Sequence, residues 1–419
     1  MAAEFGRRVL ALSAAFFARL LACGSVYSWG VLFGQFKRSF QLSNFHVSLA
    51  FALVQGLTQG AGLVVPILLK KCTVRLVVAS GGLLAALSVF AASFITYYPL
   101  FAVVFGFMQG TGQGLIFVTV PIAANYILSS EHAHIAFAVQ STGDGFGMVL
   151  FPLLFDALLR EYTWRETLLI TSGILLHSFV CGLLLKVEHP NKTKRSDLRK
   201  ELKSMEIRKA SKCPKELANA GFLVLMVASM IDSLAFSSFY SYVCVHIQSA
   251  VGRGPETLVL SVMGVVSIVG RLSVSLLGNN ACLPRWLLFS FGHVMQGVAI
   301  LAIAYGPMSN GWLAVSAGVF GLNAGLSATL VCLVCRDVCG ERLMTKAFGY
   351  SMFLWGIGST FGPSLAGYIH DMTGSTQVPL SLGGVGFTLS GLLLLVLCRT
   401  YIGNISFSKP VHSAKADLI

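Results

Sequence analysis

The stretch from Leu258 to Asn279 reads LVLSVMGVVSIVGRLSVSLLGN, and it places one arginine, Arg271, near the middle of an apolar run long enough to cross a bilayer. Even on the lenient insertion scale an arginine at that depth costs roughly 2.5 to 3.5 kcal/mol, so Arg271 is expected to face a bundle interior or a wet cavity and to have a partner. Helical spacing agrees. Gly264, Ser267, Arg271, Ser275 and Gly278 fall on one small or polar stripe, and Val262, Val265, Val269, Leu272 and Leu276 form an oily face. The segment therefore reads as a helix lining a polar pathway, with lipid or neighbouring helices on its other side.

The rest of the chain has the same character. With 55% hydrophobic and 11% charged residues among 419, and a mean hydropathy of +0.76, it is too apolar for a soluble domain and reads as a polytopic membrane protein in a lipid bilayer. Its 43 glycines fit, because helices in lipid pack closely through small residues. The net charge of +13 lies mostly in short loops between apolar spans, so no nucleic-acid partner is expected. Ten cysteines show no disulfide framework. Cys332, Cys335 and Cys339 lie roughly on one helical face but lack a completing ligand, and they read as packing residues rather than a metal site.

Taken in order, Arg7 and Arg8 open an apolar run that continues through Leu20 to Phe36, too long for a signal peptide and read as an uncleaved first helix. Further spans are expected at 44–69, 74–95, 98–127, 132–158, 166–187, 218–246, 256–279, 285–306, 310–335, 343–369 and 378–402. The sequence thus predicts an all-α membrane protein of twelve transmembrane helices in two pseudo-symmetric six-helix halves. The halves are 1–187 and 218–419, the second ending in a short cytosolic tail, and 188–217 is a cytosolic basic loop. That loop carries ten Lys or Arg residues, and the excess of positive charge on its side puts both termini in the cytosol. The sequons at Asn191 and Asn404 then lie on the wrong side for glycosylation.

An internal repeat supports two halves. A shift of 211 residues pairs Gly110 with Gly321, Gly114 with Gly325, Gly145 with Gly356, Gly147 with Gly358 and Pro152 with Pro363. Parallel six-helix repeats with a site between them near the midplane are the plan of the major facilitator superfamily.

Four stretches carry a narrower likeness: Pro66 to Phe94, Gly106 to Tyr126, Phe137 to Arg165 with its Trp164-Arg165 pair, and Val269 to Asn279 with Gly270-Arg271. In these the chain resembles the monocarboxylate transporter family. There are departures. The family's opening motif falls on Phe5 to Val9 with Gly6 retained, and its basic sequence after span four is replaced by Tyr126 to His132. In proton-coupled members the resemblance implies a span-one lysine that binds carboxylate and a span-eight aspartate that helps carry the proton. Tyr27 and Ser267 stand at those positions here.

Arg271 is the first candidate for binding an anionic substrate, since a guanidinium offers forked donors to a carboxylate; a structural arginine tied to carbonyls or an internal acid is the alternative. Three other deep charges are possible partners: Arg19, Asp144 and Asp232. Arg19 is a candidate replacement for the missing lysine, and an Arg19–Asp232 ion pair bridging spans one and seven is one expectation, against separate local roles. Asp144, between Gly143 and Gly145, is the leading candidate for a relocated proton carrier, with Asp232 a second coupling or gating residue and a structural aspartate the alternative. Tyr27, Ser267, Asn323, Cys332 and Trp355 complete the expected substrate-facing set, Cys332 standing where the family often has a size-setting phenylalanine. His177, His246 and His293 read as hydrogen-bonded helix residues.

No enzyme motif or phosphate-binding Gly-x-x-x-x-Gly-Lys loop is present, and no cofactor is expected. The leading expectation is a plasma-membrane transporter of a small organic anion, a monocarboxylate or related amino-acid-like solute, working by alternating access. A co-transported proton and an ancillary membrane subunit stay open. The second class is a degenerate member retained as a receptor or scaffold.

Overall fold

The computed structural model describes residues 2–42, 44–128, 132–185, 220–252, 255–277, 284–340 and 343–402. The basic loop 188–217 with Asn191, and the sequon at Asn404, lie outside the described residues, as do Gly278 and Asn279. Among the described residues every regular element is helical. Helix α1 (Ala2–Ser28) continues through a 3-10 turn (Trp29–Leu32) into α2 (Phe33–Phe40). Helices α3 (Asn44–Gly60) and α4 (Val64–Lys71) form a pair bent by 49°, followed by α5 (Val74–Ala92). Short α6 (Tyr98–Phe101) leads through a π-helical segment (Ala102–Met108) into α7 (Gln109–Ile127), then α8 (Ala133–Glu161) and α9 (Trp164–Leu184). After the basic loop come α10 (Ala220–Val251), α11 (Pro255–Leu277), α12 (Arg285–Tyr305), α13 (Asn310–Cys339), α14 (Met344–Thr373) and α15 (Gln377–Ile402).

Ten of these segments are long and apolar enough to cross a membrane, and the bent α3–α4 pair makes an eleventh. Helix α14, 30 residues long, falls at the place of the expected span 343–369. The outer surface is apolar, as lipid requires: α5 exposes Leu76, Leu83, Leu87 and Phe90, and α11 exposes Val265, Val269, Leu272 and Leu276, most of the oily face expected from spacing.

Local chemistry sets the helix ends. Thr163 and Glu166 form a capping box at the start of α9, with the Thr163 amide donating to Glu166 Oε2 at 2.8 Å. Arg165 Nη1 donates to the carbonyls of Ser93 (2.6 Å) and Ile95 (3.0 Å), and its guanidinium lies 4.3 Å from the Trp164 ring centroid. The Trp-Arg pair thus fastens the turn between α5 and α6. At the opposite end of α5, Arg75 Nε donates to Leu183 O at 2.8 Å and caps the last turn of α9.

The 211-residue repeat recurs as packing. A Cβ on Gly110 or Gly114 would strike α3, meeting Val54 at 3.0 Å and Leu57 O at 2.7 Å. A Cβ on Gly321 or Gly325 would strike α11, meeting Met263 O at 2.5 Å and Ser267 O at 2.1 Å. Each glycine pair lets its helix lie backbone against backbone on a neighbour.

Helices α1–α9 pack among themselves and α10–α15 among themselves, and the two groups meet mainly along α8–α11 and α3–α14. Their apolar cores are unequal along the bundle. At the end where α1 begins, one cluster draws on both groups, with Val65, Ile122 and Phe137 joining Phe222, Leu333 and Phe348. At the other end there are two separate clusters, one around Trp29, Phe36, Phe105 and Trp164, the other around Phe239, Ile300, Phe320 and Phe387. The bundle is therefore sealed at one end and divided at the other.

Candidate functional site

Between the two groups of helices lies a cavity of about 1150 Å³, counting the solvent at its mouth. Arg19, Tyr27, Asp144, Asp232, Ser267, Arg271, Cys332 and Trp355 all line it, and these eight come from six different helices. Asn323 does not line it: its side chain is buried and its Nδ2 donates to Val319 O one turn back at 2.8 Å, so the expectation that it faces substrate is corrected. Across the cavity the Tyr27 ring meets Phe236 at 6.5 Å, and Phe236 meets Trp355 at 5.1 Å.

The centre of the site is Asp144, which accepts from two arginines. Arg19 Nε donates to Oδ1 at 2.7 Å and Arg19 Nη2 donates to Oδ2, a forked pair; Arg271 Nη1 donates to Oδ2 at 3.2 Å. All three side chains are buried, at 5–8% exposure, so solvent screens them little. Arg19 Nη1 also donates to Phe117 O at 2.7 Å, and its guanidinium lies 4.0 Å from the Phe117 ring centroid. Arg271 Nε, by contrast, is buried without a hydrogen-bond partner. Two cations share one carboxylate, and the uncommitted donor is on Arg271.

Sequence explains why these groups meet. Asp144 is flanked by Gly143 and Gly145, and each glycine opens α8 to one neighbour. A Cβ on Gly143 would lie 2.3 Å from Phe16 O of α1; one on Gly145 would lie 2.7 Å from Ile268 Cγ1 and 3.6 Å from Arg271 Cδ of α11. Glycine on one side brings Arg19 within reach, and glycine on the other brings Arg271. The carbonyl that holds Arg19 Nη1 has a cause as well. Phe117 O would ordinarily accept the amide of residue 121, but Pro121 has no N–H, so the oxygen is free for a guanidinium. Pro121 was the available signal for that contact.

Asp232 does not pair with Arg19, and the expected bridge between spans one and seven is replaced by two local arrangements. Asp232 Oδ2 lies 2.9 Å from His293 Nε2, and His293 Nδ1 lies 2.7 Å from Phe289 O one turn back. His293, read from sequence as an ordinary helix residue, thus carries an ionisable partner in the cavity wall. Gln296, one turn further along α12, donates to Ser327 Oγ of α13 at 3.2 Å. On the sealed side Ser141 and Thr329 hydroxyls hydrogen-bond across the two groups at 2.7 Å. Arg336 Nη1 donates to Asn125 Oδ1 at 3.3 Å, joining positions 211 residues apart, the period of the repeat. Cys332, Cys335 and Cys339 are buried, and among the described residues no group of His, Cys, Asp and Glu could hold a metal.

A bundle of membrane-length helices whose two groups close at one end over a charged central cavity is a multi-pass membrane carrier. The model of the Major Facilitator Superfamily matches residues 15–309, and the chain belongs to that superfamily, one of solute carriers rather than enzymes. The chain is 27% identical over 398 residues to Monocarboxylate transporter 13 of Rattus norvegicus, covering 94% of this chain and 89% of that protein. It is 26% identical over 357 residues to Monocarboxylate transporter 12-B of Danio rerio, covering 78% and 73%, and 21% identical over 455 residues to Monocarboxylate transporter 14 of Homo sapiens, covering 91% and 88%. The fold is similar to that of the superfamily transporter FucP, solved in the outward conformation, with a TM-score of 0.65 and 16% identity over 92% of this chain and 98% of that one.

Proposed function

We propose that this protein transports a small organic anion, a monocarboxylate or a related amino-acid-like solute, by alternating access between halves 1–187 and 218–419. The observation that carries the proposal is the local excess of positive charge around Asp144: two buried arginines share its single carboxylate, and Arg271 Nε has no partner. A substrate carboxylate that accepts from Arg271 would supply the missing acceptor, and binding would cost little rearrangement because the guanidinium is already held in place. Tyr27, Ser267, Cys332 and Trp355 line the same cavity and would shape the rest of the substrate. With both termini in the cytosol and the plasma membrane as location, the sealed end would be cytosolic and the cavity would face outward. The names of the relatives agree with a carboxylate substrate.

Counterflow with purified protein in liposomes tests this. Labelled L-lactate, pyruvate, ketone bodies, aromatic amino acids and creatine-like zwitterions would each be exchanged against excess unlabelled compound. Saturable exchange of at least one, lost in Arg271→Gln, is expected. No exchange of any by protein with an intact melting transition would instead favour a receptor or scaffold.

A further inference from the structure

The Asp232–His293 contact contains a constraint on protons. Phe289 O is a carbonyl and only accepts, so His293 Nδ1 at 2.7 Å must carry a hydrogen. A neutral imidazole has one N–H, which leaves Nε2 as a bare lone pair 2.9 Å from Asp232 Oδ2. With an ionised Asp232 that contact would set acceptor against acceptor. It is a hydrogen bond only if one further proton lies between them, on the ring or on the carboxyl. Asp232 Oδ1 is buried without a hydrogen-bond partner, and both residues line the cavity.

The surroundings leave the pair to itself. From α12 it is faced by Phe289 and Gln296, from α13 by Ser327, and from α15 by Phe387, whose ring centroid is 6.0 Å from that of His293. None of these is charged. From the remaining cavity-lining helices the titratable groups are Arg19, Tyr27 and Asp144 on the first half, and Tyr240, Arg271 and Cys332 on the second. Arg19 and Arg271 both donate to Asp144, and a proton on its oxygens would cancel the counter-charge that the two guanidiniums share.

We propose that Asp232 and His293 together hold one exchangeable proton and are the proton seat of the transport cycle, which rests on reading the cavity as an anion-transport site. The proton enters from water through the open mouth, lodges between Nε2 and Oδ2, and leaves to water on the other side when the halves reverse; no covalent bond of the substrate changes. Its charge compensates that of the anion at Arg271. Proton and anion would be bound at separate places in one cavity rather than by adjacent residues of α11.

Two measurements test this. In protein labelled with 15N-histidine, with His293→Gln assigning the signal, the His293 ring should carry hydrogen on Nδ1; a bare Nδ1 overturns the proposal. In proteoliposomes, uptake of the counterflow-active anion, L-lactate first, is measured with and without an inward proton gradient. Wild type should accumulate it by up to about tenfold per pH unit, the limit for one proton per anion. In Asp232→Asn an amide N–H can donate to Nε2 and replace the shared proton, so the pair stays hydrogen-bonded while losing its exchangeable site. The ratio of gradient-driven to equilibrium uptake should fall to about one in this variant and in His293→Gln, whatever their absolute rates, because the coupling free energy is gone. Gradient-driven accumulation retained in both variants overturns the proton seat alone. Absence of exchange for every anion by folded wild type overturns the anion reading and the seat with it.

Discussion

Replacing Asp144 with asparagine removes the one negative charge between two buried arginines, and its effect can be worked from the contacts. Asp144 accepts three guanidinium N–H groups, two from Arg19 and one from Arg271. An asparagine retains one acceptor and turns an NH2 toward the other donors, so two cations lose their counter-charge at 6% and 8% exposure. Removing one member of a buried ion pair costs about 3–5 kcal/mol, most of it the desolvation of the charge left behind. Arg271→Gln should cost less, about 1–3 kcal/mol, because Asp144 keeps its forked pair with Arg19. Arg19→Gln combined with Asp144→Asn removes the anion and its principal cation together and should be milder than the sum of the single changes by about 0.5–3 kcal/mol. The assay is thermal unfolding of purified protein in detergent, scored as rank order because a chain of this size does not unfold in one step. The expected order of melting temperature is wild type, Arg271→Gln, then Asp144→Asn. An Asp144→Asn protein melting with wild type, or a double variant that falls by the full sum, would refute the shared-carboxylate arrangement.

Four further outcomes are expected. Gly62→Val should force apart the sealed end, since even a Cβ would lie 2.1 Å from Gly349 O; a cysteine placed at Tyr27 in that background should react more slowly with a membrane-impermeant maleimide added to the open side. Cys332→Phe should shrink the cavity and weaken competition by aromatic solutes relative to L-lactate in counterflow, because Cys332 lines the wall. Pro121→Ala restores an amide to Phe117 O in competition with Arg19 Nη1, so the Arg19–Asp144 coupling measured by a double-mutant cycle should change while Arg75 and Arg165 variants behave as in wild type. Thr163→Ala should lower the melting temperature through loss of about 0.5–2 kcal/mol of capping without altering exchange.

Hydropathy alone locates the spans, and the depth of Arg271, Arg19, Asp144 and Asp232 in those spans identifies four of the cavity's charged residues. What sequence leaves open is which charge meets which. Asp144 lies 125 residues from Arg19 and 127 from Arg271, so their contact depends on helix rotation and approach that no local pattern encodes. The glycines on both sides of Asp144 were visible, but their meaning is an approach to two different helices, and that requires knowing which helices are neighbours. Asp232 looked equally able to reach Arg19. The deciding fact is its proximity to His293, on a helix whose polar face is otherwise made of Gln296 and small residues. Asn323 shares the spacing of a cavity residue but turns its amide onto its own helix, as short polar side chains often do.

The two arginines are not equivalent, and the difference gives the proposed cycle a direction. Arg19 and Asp144 belong to the same half and are joined by a forked pair, with Phe117 O and the Phe117 ring occupying the rest of the Arg19 guanidinium. Arg271 belongs to the other half and reaches Asp144 through one longer contact of 3.2 Å. An arriving carboxylate can therefore take Arg271 from Asp144 without leaving Asp144 unpaired. The exchange costs the protein one weak bond across the halves and gives Arg271 a forked partner in its place. If the order were reversed, with the strong pair spanning the halves, substrate would have to break a buried bidentate ion pair before the halves could move, at about 3–5 kcal/mol. Placing the strong pair inside one half and the weak link between halves lets occupancy of the site alter how firmly the halves are tied.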